Sequence, residues 1–326
     1  MAIDRYGRNI DYLRVSITDR CNLNCKYCMP DGVCKKLSHN DILTYEEITK
    51  IIKAFAKIGI TKIKITGGEP LVRKDSYEFI NSLKKIDGIN EVTITTNGIL
   101  LDQYIDGFIE NGIDGINISL DTLNKEKFKK LTGGNLDKVK KSIQDLIDKG
   151  YKNLKINSVI IKDFNEDEII DLAKLAKDND IAVRFIELMP IGNAKKFESV
   201  KRDYILSKLE KEFGKYSIYD KKIGNGPADY ITFDNFKGKI GFIDAIDHKF
   251  CKDCNRVRLT STGKLKLCLQ YDVGINLKDF AKGDITEEEF LEKIKKALMI
   301  KPKENSFKDL DNIIDENTNT MNEIGG

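Results

Sequence analysis

Six strand-like segments, each followed by a helical pattern, constrain the fold of this 326-residue chain more than any other feature. They lie near residues 11–18, 62–66, 91–96, 115–120, 153–160 and 181–187. Strands that alternate with helices predict an α/β protein built from parallel β–α–β units. Six such units favour either an incomplete (β/α)6 barrel of the TIM type or a doubly wound sheet.

Two of the helices have a recognisable beginning. The helix predicted over 44–58 places its isoleucines and a phenylalanine on one face at helical spacing. Thr44 followed by Glu47 three residues later is typical of a capping box. Asn165 and Glu168 stand in the same relation, and they predict a second capping box at the start of a later helix.

Apolar and polar residues alternate within the six segments. Successive side chains of a strand point to opposite faces, so the apolar set can pack beneath the helices while the polar set shares the other face. A closed eight-stranded barrel fills its interior with apolar side chains, whereas this inner face carries Arg14, Lys64, Lys155 and Arg184. The pattern predicts an open, incomplete barrel with an anionic ligand inside. A sheet with one solvated face, as in α+β proteins, is the alternative.

The repeat ends after Pro190. Short strand-like pieces separated by turn signals occupy the segment from about 215 to 272, and a helical pattern returns near 284–299. We therefore expect two domains, with the partial barrel in residues 1–214. Residues 215–326 are expected to form a smaller α+β region that closes the barrel.

Charge and hydropathy narrow the range of partners. The net charge of +3 is too small to indicate nucleic-acid or membrane binding by itself. The chain has no apolar run of about 18 residues, the length that a transmembrane helix needs. Its first ten residues are polar rather than signal-like. We expect a cytoplasmic protein.

Seven cysteines are the main chemical resource of the chain. They are Cys21, Cys25, Cys28, Cys34, Cys251, Cys254 and Cys268. In a reducing cytosol, such clusters bind metal or perform redox chemistry more often than they form disulfides. Only two histidines are present, His39 and His248, and we expect both to be structural or surface residues.

The first cysteine set, C-x3-C-x2-C, directly follows the first strand. Three thiolates can hold three irons of a cubane, which leaves the fourth iron open to a ligand such as S-adenosylmethionine (SAM). Zinc is the alternative, and a structural zinc site would take Cys34 as its fourth ligand. The position after a strand is typical of catalytic loops in barrels. A Gly-Gly-Glu-Pro sequence at 67–70 follows the second strand, and its glycines allow close approach of a ligand to the backbone.

The second set, Cys251, Cys254 and Cys268, again offers three thiolates. A second cluster with an open iron suits substrate binding, and a zinc ribbon that lacks one ligand is the alternative. Arg256 and Arg258 stand two residues apart, so on an extended segment they point the same way. Arginine forks bind phosphate or a purine edge in a bidentate manner.

C-x3-C-x-Tyr-C followed by Gly-Gly-Glu-Pro resembles the radical SAM superfamily. Together with the C-terminal cysteine and arginine motif, from Asp11 to Gly326, the chain resembles the GTP 3′,8-cyclase family, which begins molybdenum cofactor biosynthesis. The resemblance implies reductive cleavage of SAM to methionine and a 5′-deoxyadenosyl radical. That radical takes hydrogen from C3′ of GTP, and the ribose radical attacks C8 of guanine to give 3′,8-cyclo-7,8-dihydro-GTP.

The resemblance also implies which residues hold each cofactor and the substrate. One [4Fe–4S] cluster falls on Cys21, Cys25 and Cys28, and a second, which binds the guanine, falls on Cys251, Cys254 and Cys268. The positions that contact SAM are Tyr27, Gly68, Ser119 and Met189. The positions that contact GTP are Arg14, Lys64, Thr95, Lys155, Arg256, Val257 and Arg258. Arg184 shares the predicted inner face, and we assign it to an anionic group of GTP or SAM.

Two positions depart from the family pattern. Relatives often have arginine where Lys64 stands, so the charge is kept while the bidentate fork is lost. Cys34 matches no ligand of the family. The chain does end in Gly325-Gly326, as the family does. We expect this tail to enter the cavity and help arrange Arg14, Lys64 or Arg184 for catalysis.

The implied partners are GTP, an electron donor, a second copy of the chain in a homodimer, and the next enzyme, cyclic pyranopterin monophosphate synthase, which receives the product. A radical SAM enzyme that modifies peptides is the alternative enzyme. A zinc-binding module that binds RNA is the alternative outside enzymology. It would need about four ligands for each of two closed sites.

Overall fold

The structure is a computed structural model that describes residues 1–29, 37–307 and 321. Strands β1 to β12 are Tyr12–Ser16, Lys62–Thr66, Glu91–Thr96, Gly115–Ser119, Leu154–Val159, Ala182–Ile186, Ser217–Tyr219, Asp229–Thr232, Lys239–Ile243, Arg256–Leu259, Lys264–Lys266 and Gly274–Asn276. Helices α1 to α9 are Tyr45–Lys57, Ser76–Leu83, Ile105–Glu110, Lys125–Thr132, Leu136–Asp148, Ile169–Asp178, Arg202–Phe213, Lys278–Lys282 and Glu287–Met299. The six predicted strands are confirmed as β1 to β6.

All twelve strands belong to one sheet, in the order β12-β11-β10-β1-β2-β3-β4-β5-β6-β9-β8-β7. Strands β1 to β6 follow one another in sequence order and pair in parallel, which confirms the incomplete barrel rather than a doubly wound sheet. The part of the chain after residue 214, called here the later segment, extends this sheet at both edges. Its strand β10 pairs with β1 and its strand β9 pairs with β6, both in parallel. The outer strands pair antiparallel. The division into domains at residue 214 stays a prediction.

The core lies between the sheet and its helices. Leu13 and Val15 of β1 are fully buried there, as are Ile51 and Phe55 on the inner face of α1. Each such side chain contributes roughly 1.5–3 kcal/mol when it leaves water. In the part of the chain that the structure describes, no helix is long and apolar enough to cross a membrane.

The predicted capping box of α1 is confirmed. The Thr44 hydroxyl accepts a hydrogen bond from the Glu47 N–H at 3.2 Å, and the Glu47 carboxylate accepts one from the Thr44 N–H at 2.7 Å. The capping box therefore fixes the residue at which α1 begins, at the end of the loop that follows β1.

The second predicted capping box is wrong. The Glu168 carboxylate instead accepts hydrogen bonds from the Thr122 hydroxyl at 2.6 Å and the Leu123 N–H at 2.7 Å. The Asn165 side chain accepts from the Ile161 N–H at 2.7 Å and makes no capping bond. Both side chains are buried, so contacts with the loops after β4 and β5 outweigh the local capping preference.

Candidate active site

A cavity of about 300 Å³ lies on the inner face of β1 to β6. Polar side chains from all six strands line it: Arg14, Lys64, Thr95, Ser119, Asn157 and Arg184. Alternate residues of a strand point to one face, so the apolar residues between them pack in the core on the other side. The predicted polar inner face is confirmed.

Three of the cations form a row across neighbouring strands. In the parallel register, Arg14 of β1 lies opposite Arg258 of β10 on one side and Lys64 of β2 on the other. The cavity wall carries six cationic side chains: Arg14, Lys64, Lys155, Arg184, Arg256 and Arg258. The later segment therefore adds its two arginines to a basic surface that the barrel strands begin.

These cations repel one another. Burial, and next the nearby Arg184 guanidinium, hold the pKa of Lys64 well below its usual value. The same two causes lower the pKa of Lys155 to about 8. Burial and the neighbouring Arg14 lower the pKa of the Arg258 guanidinium. Because each shift disfavours the charged form, an anionic ligand in the cavity would relieve the repulsion and stabilise the cations.

Two aromatic rings flank the guanidinium of Arg256. Its central carbon lies 5.8 Å from the ring centre of Tyr12 and 5.3 Å from that of Phe250. Such cation–π contacts contribute about 0.5–2 kcal/mol each and restrict the orientation of the guanidinium. Arg256 and Arg258 both line the cavity, which confirms that they point the same way.

The first cysteine set lies in the loop after β1 and lines the same cavity. A turn closes the loop, since the Cys28 and Met29 N–H groups donate to the Cys25 carbonyl at 3.0 and 2.9 Å. The Leu23 N–H donates to Cys21 Sγ at 3.4 Å. Burial raises the pKa of Cys21 to about 11 and that of Cys25 well above its usual value. A cation beside them, such as the iron of a cluster, would favour their thiolate forms.

The glycines of the Gly-Gly-Glu-Pro motif have a packing role as well as the ligand role expected from the sequence. A Cβ on Gly68 would lie 2.4 Å from the Arg20 carbonyl oxygen, and one on Gly67 would lie 2.7 Å from that of Thr18. The Gly68 N–H donates to the Thr18 carbonyl at 2.7 Å. Glycine is therefore required here for the backbone to approach the strand that leads into the cysteine loop.

Glu69 connects this motif with the loop after β3. Its carboxylate accepts hydrogen bonds from the Thr96 hydroxyl at 2.8 Å and the Asn97 N–H at 2.6 Å. Asn97 in turn donates from Nδ2 to Cys21 Sγ at 3.8 Å. Burial raises the pKa of Glu69 to about 7 despite these donors. Three loops at the carboxyl ends of the strands are thus held together around the first cysteine set.

Tyr27, between two cysteines of the first set, is held by Asp121. The phenol donates to Asp121 Oδ2 at 2.7 Å, while Oδ1 accepts from the Val159 N–H at 2.9 Å. Burial raises the pKa of Asp121 to about 6. Sequence reasoning missed Asp121, although a carboxylate two residues after the Ser119 end of β4 is the signal that could have found it.

The second cysteine set lies where the start of β10 and the residue after Leu267 meet residues 301–305. Asn305 donates from Nδ2 to Cys251 Sγ at 3.4 Å. Burial opposes ionisation of Cys254, yet the cations of Lys301, Arg256 and Arg8 together hold its pKa below its usual value. Phe250 and Leu269, which adjoin Cys251 and Cys268 in sequence, line the cavity, so this set borders it at the Arg256 side.

The six cysteines described in the structure form no disulfide. Among residues 1–29, 37–307 and 321, no three His, Cys, Asp or Glu side chains are close enough to share one metal ion. A closed zinc site places about four ligands on one ion at roughly 2.0–2.3 Å.

Comparison with known proteins identifies the family. Residues 15–176 match the Radical SAM superfamily, and residues 181–307 match the family described as Molybdenum Cofactor Synthesis C. The GTP 3′,8-cyclase of Clostridium perfringens (strain 13) is 48% identical over 326 residues, with 99% of each chain covered. The chain belongs to the GTP 3′,8-cyclase family. The GTP 3′,8-cyclase of Alkaliphilus oremlandii is 43% identical over 326 residues, which cover 99% of each chain. That of Peptoclostridium acidaminophilum is 43% identical over 311 residues, which cover 95% of this chain and 94% of the relative.

Solved structures of more distant proteins share the fold. Streptococcus suis SuiB bound to S-adenosylmethionine matches with a TM-score of 0.63 at 15% identity, covering 87% of this chain. The chain spans 65% of the length of that protein. The same protein bound to its precursor peptide SuiA matches with a TM-score of 0.62 at 14% identity, covering 96% of this chain and 68% of that one. At such identities the likeness shows the fold alone.

The residues that the resemblance gave to SAM and GTP meet in one cavity, with one exception. The positions that line it are Tyr27, Gly68, Ser119, Met189, Arg14, Lys64, Thr95, Lys155, Arg184, Arg256 and Arg258. The exception is Val257, whose side chain is 1% exposed in the hydrophobic core on the other face of β10. A contact between Val257 and GTP would therefore use its backbone. The ligand roles of these residues stay predictions.

Some predicted residues lie outside the described part of the chain. Gly325, Gly326 and Cys34 are among them. Met321 is described, and it lines the cavity and packs against a small apolar cluster that contains Ile191.

Proposed function

We propose that this protein is a GTP 3′,8-cyclase. It converts GTP to (8S)-3′,8-cyclo-7,8-dihydroguanosine 5′-triphosphate with methionine and 5′-deoxyadenosine as co-products, the first step of molybdenum cofactor biosynthesis. One observation carries the proposal beyond family membership. Six cations and three half-buried thiols share a single cavity, so an anionic nucleotide and a redox centre can meet there. A triphosphate suits this basic surface better than the peptide substrate of the alternative enzyme.

The thiols fit two open clusters. Cys21, Cys25 and Cys28 would hold the first [4Fe–4S] cluster, and the second set would hold the other. When bound, the first cluster and SAM supply the one-electron chemistry that removes hydrogen from C3′ of GTP. The protein orients the reactants, because Glu69, Asn97 and the glycines of the Gly-Gly-Glu-Pro motif hold the loop that carries the first cysteine set.

Residues near the first set provide the SAM site in this proposal. The Tyr27 ring is fixed by Asp121, and the Gly68 backbone lies in the loop beside it. Ser119 at the end of β4 and Met189 after β6 line the same cavity. Together they would hold SAM in the same cavity as the six cations.

The cations provide the GTP site. Arg14, Arg258 and Lys64 form a row that suits the oxygens of a triphosphate. Lys64 donates from a single nitrogen, so it serves one oxygen rather than two. Arg184 lines the cavity and is oriented by its hydrogen bond from Nε to Asn157 Oδ1 at 2.8 Å.

The decisive experiment is an anaerobic incubation of the reconstituted protein with SAM, dithionite and GTP, followed by mass analysis of the nucleotide. We expect a product isomeric with GTP that appears together with 5′-deoxyadenosine. Reactions without SAM, or with ATP in place of GTP, are the controls. Formation of 5′-deoxyadenosine with unchanged GTP would reject the cyclase while keeping the radical SAM chemistry.

Arg258→Ala should weaken GTP binding by roughly tenfold to a hundredfold, because a hydrogen bond to a charged group contributes roughly 1.5–3 kcal/mol. Arg258→Lys, which keeps the charge and loses the fork, should give an intermediate loss. Equilibrium binding of GTP and of SAM to the reconstituted proteins measures both effects. SAM affinity should be unchanged, and unaltered GTP affinity would show that Arg258 makes no contact with the nucleotide.

GTP affinity should fall as pH rises through about 8. The pKa of Lys155 lies near 8 in the free protein, and a bound anion would raise it. Binding above pH 8 must therefore take up a proton, at a cost of up to about tenfold in affinity per pH unit. The matched control is Lys155→Arg, which stays charged, so calorimetry across this range should show a flatter profile. Equal slopes in the two proteins would contradict a Lys155 contact.

Four further features belong to the proposal. The protein works in the cytoplasm, receives electrons from a donor, acts as a homodimer, and passes its product to cyclic pyranopterin monophosphate synthase.

The tail that ends in Gly325 and Gly326 enters the cavity and helps arrange its cations, an idea that the position of Met321 supports. Deletion of the two glycines should then suppress cyclisation while both clusters assemble.

A further inference from the structure

Residues 2–10 form a tight antiparallel turn, called here the N-terminal turn, which precedes the region matched by the Radical SAM superfamily. Ile3 pairs with Asn9, and the Ile10 N–H donates to the Ala2 carbonyl at 2.7 Å. The turn has no part in the proposed chemistry. Two of its charged residues are nevertheless buried, which calls for a physical reason because burial of charge is costly.

The buried charges are Asp4 and Arg8, with exposed fractions of 3% and 8%. Arg8 Nε donates to Asp4 Oδ2 at 2.6 Å, and Asp4 Oδ1 accepts from the Tyr6 and Arg8 N–H groups at 2.9 and 3.0 Å. Asp4 thus fixes the plane of the Arg8 guanidinium. The remaining donors of that guanidinium point away from the turn.

Those donors join two distant segments. Arg8 Nη1 donates to the carbonyl oxygens of Cys251 at 2.8 Å and Lys303 at 2.9 Å, and Nη2 donates to that of Pro302 at 2.7 Å. One guanidinium therefore holds the first residue of the second cysteine set against the segment that follows α9. A lysine could not replace it, because a single ammonium cannot reach a carboxylate and three carbonyls in these directions.

The segment held in this way contacts Cys251 and residues that neighbour Cys254 and Cys268 in sequence. Asn305 donates from Nδ2 to Cys251 Sγ at 3.4 Å and to the Ala245 carbonyl in the cavity wall at 2.9 Å. Lys301 is 2% exposed, and its Nζ donates to the carbonyls of Arg256 and Leu267. These residues follow Cys254 and precede Cys268, so both remaining cysteines are tied to the same segment.

We propose that Arg8 is a positioning residue for the second cysteine set. It locks the Cys251 turn to residues 302–303, and this contact aligns Asn305 and Lys301 with the three thiols. The first set lies outside this network, so loss of Arg8 loosens the second set alone. That the second set holds a substrate-binding cluster rests on the proposed function, whereas the positioning of its thiols does not.

The test compares thiol reactivity in the cofactor-free, full-length protein. Wild type, Arg8→Lys and the matched control Arg5→Lys are treated with iodoacetamide under anaerobic reducing conditions, and alkylation is followed cysteine by cysteine by mass spectrometry. Arg5 is exposed and contacts the Tyr6 side chain. We expect Cys251 to react at least about tenfold faster in Arg8→Lys, since the charge-assisted hydrogen bonds of Arg8 oppose local opening. Arg5→Lys should match wild type.

Selectivity distinguishes positioning from a general loss of stability. Cys21, Cys25 and Cys28 report in the same sample, and they should react at the wild-type rate in Arg8→Lys. Equal acceleration of both sets, or no acceleration at all, overturns the proposal. Asn305→Ala is a second variant that leaves the Arg8 contacts intact, and it should accelerate Cys251 selectively.

The reconstituted proteins give an independent readout. Under challenge with an iron chelator, Arg8→Lys should lose the iron of the cluster on the second cysteine set faster than wild type. It should still form 5′-deoxyadenosine at the wild-type rate. Neither this measurement nor the alkylation uses GTP. Failure of wild type to cyclise GTP would therefore reject the proposed function alone, and uniform alkylation would reject the role of Arg8 alone.

Discussion

Cys25→Ser should produce no 5′-deoxyadenosine above background, while wild type produces it under the same reducing conditions. Cys25 lies at the centre of the first set, and its carbonyl accepts the two hydrogen bonds that close the loop. Serine keeps this backbone and nearly the same volume, so the loop should fold as before. The hydroxyl, however, is a poor iron ligand beside a thiolate. The change removes one of three ligands, and SAM cleavage needs all three.

Cys34→Ser is the matched control, and it also separates iron–sulfur from zinc. In the iron–sulfur interpretation Cys34 is a bystander, so its loss should leave 5′-deoxyadenosine formation unchanged. In the zinc alternative Cys34 is the fourth ligand, and both variants would lose metal together. Chromatographic measurement of 5′-deoxyadenosine and metal analysis of the purified proteins decide between them. A wild-type rate of SAM cleavage in Cys25→Ser would show that the first set holds no catalytic cluster.

The inner face of the barrel could be predicted because its signal is local. Alternation along one strand fixes which side chains share a face, and the cations at Arg14, Lys64, Lys155 and Arg184 are visible in four of the six short segments. Parallel pairing of successive strands then brings those segments together without further information. For the same reason Thr44 and Glu47 were predicted correctly, since a capping box on an exposed helix start depends only on residues three positions apart.

Contacts between distant segments could not be predicted in this way. Asn165 and Glu168 carry the same local signal as Thr44 and Glu47, but both are buried against the loop that follows β4. No periodicity indicates that β9 and β10 would join opposite edges of one sheet. The hydrogen bonds of Asp121 and Arg8 likewise join residues 94 and 243 positions apart. Such pairs depend on tertiary packing rather than on local pattern.

The geometry also adds a reason for one motif. The glycines at 67 and 68 were interpreted as giving a ligand access to the backbone, and the structure shows that they also let the loop approach Thr18 and Arg20. A side chain at either position would push apart the motif and the strand that leads into the cysteine loop. Ligand access and loop packing therefore depend on the same two residues, and the sequence alone could not separate them.

Cys268→Ser should separate SAM cleavage from GTP cyclisation, two steps that Cys25→Ser should abolish together. Cys268 lies beyond β11, near Cys251 and beside Leu267, whose carbonyl is held by Lys301. It belongs to the later segment, whereas the first cysteine set stands on the loop after β1. The serine variant should therefore keep the first cluster and its SAM site. Reductive SAM cleavage should continue, but without a correctly held nucleotide it should be uncoupled from cyclisation.

Two products measured in one reaction test this expectation. In Cys268→Ser, 5′-deoxyadenosine should persist within about tenfold of wild type, because the first cluster is intact, and the cyclised nucleotide should fall below detection. Cys25→Ser should lack both products, so the pair of variants forms a matched comparison within one assay. Loss of 5′-deoxyadenosine in Cys268→Ser would mean that the two sets depend on each other for assembly. Full cyclisation in that variant would mean that GTP is held by Arg14, Lys64, Arg256 and Arg258 without the second set, and the cluster assigned to it would have no part in substrate binding.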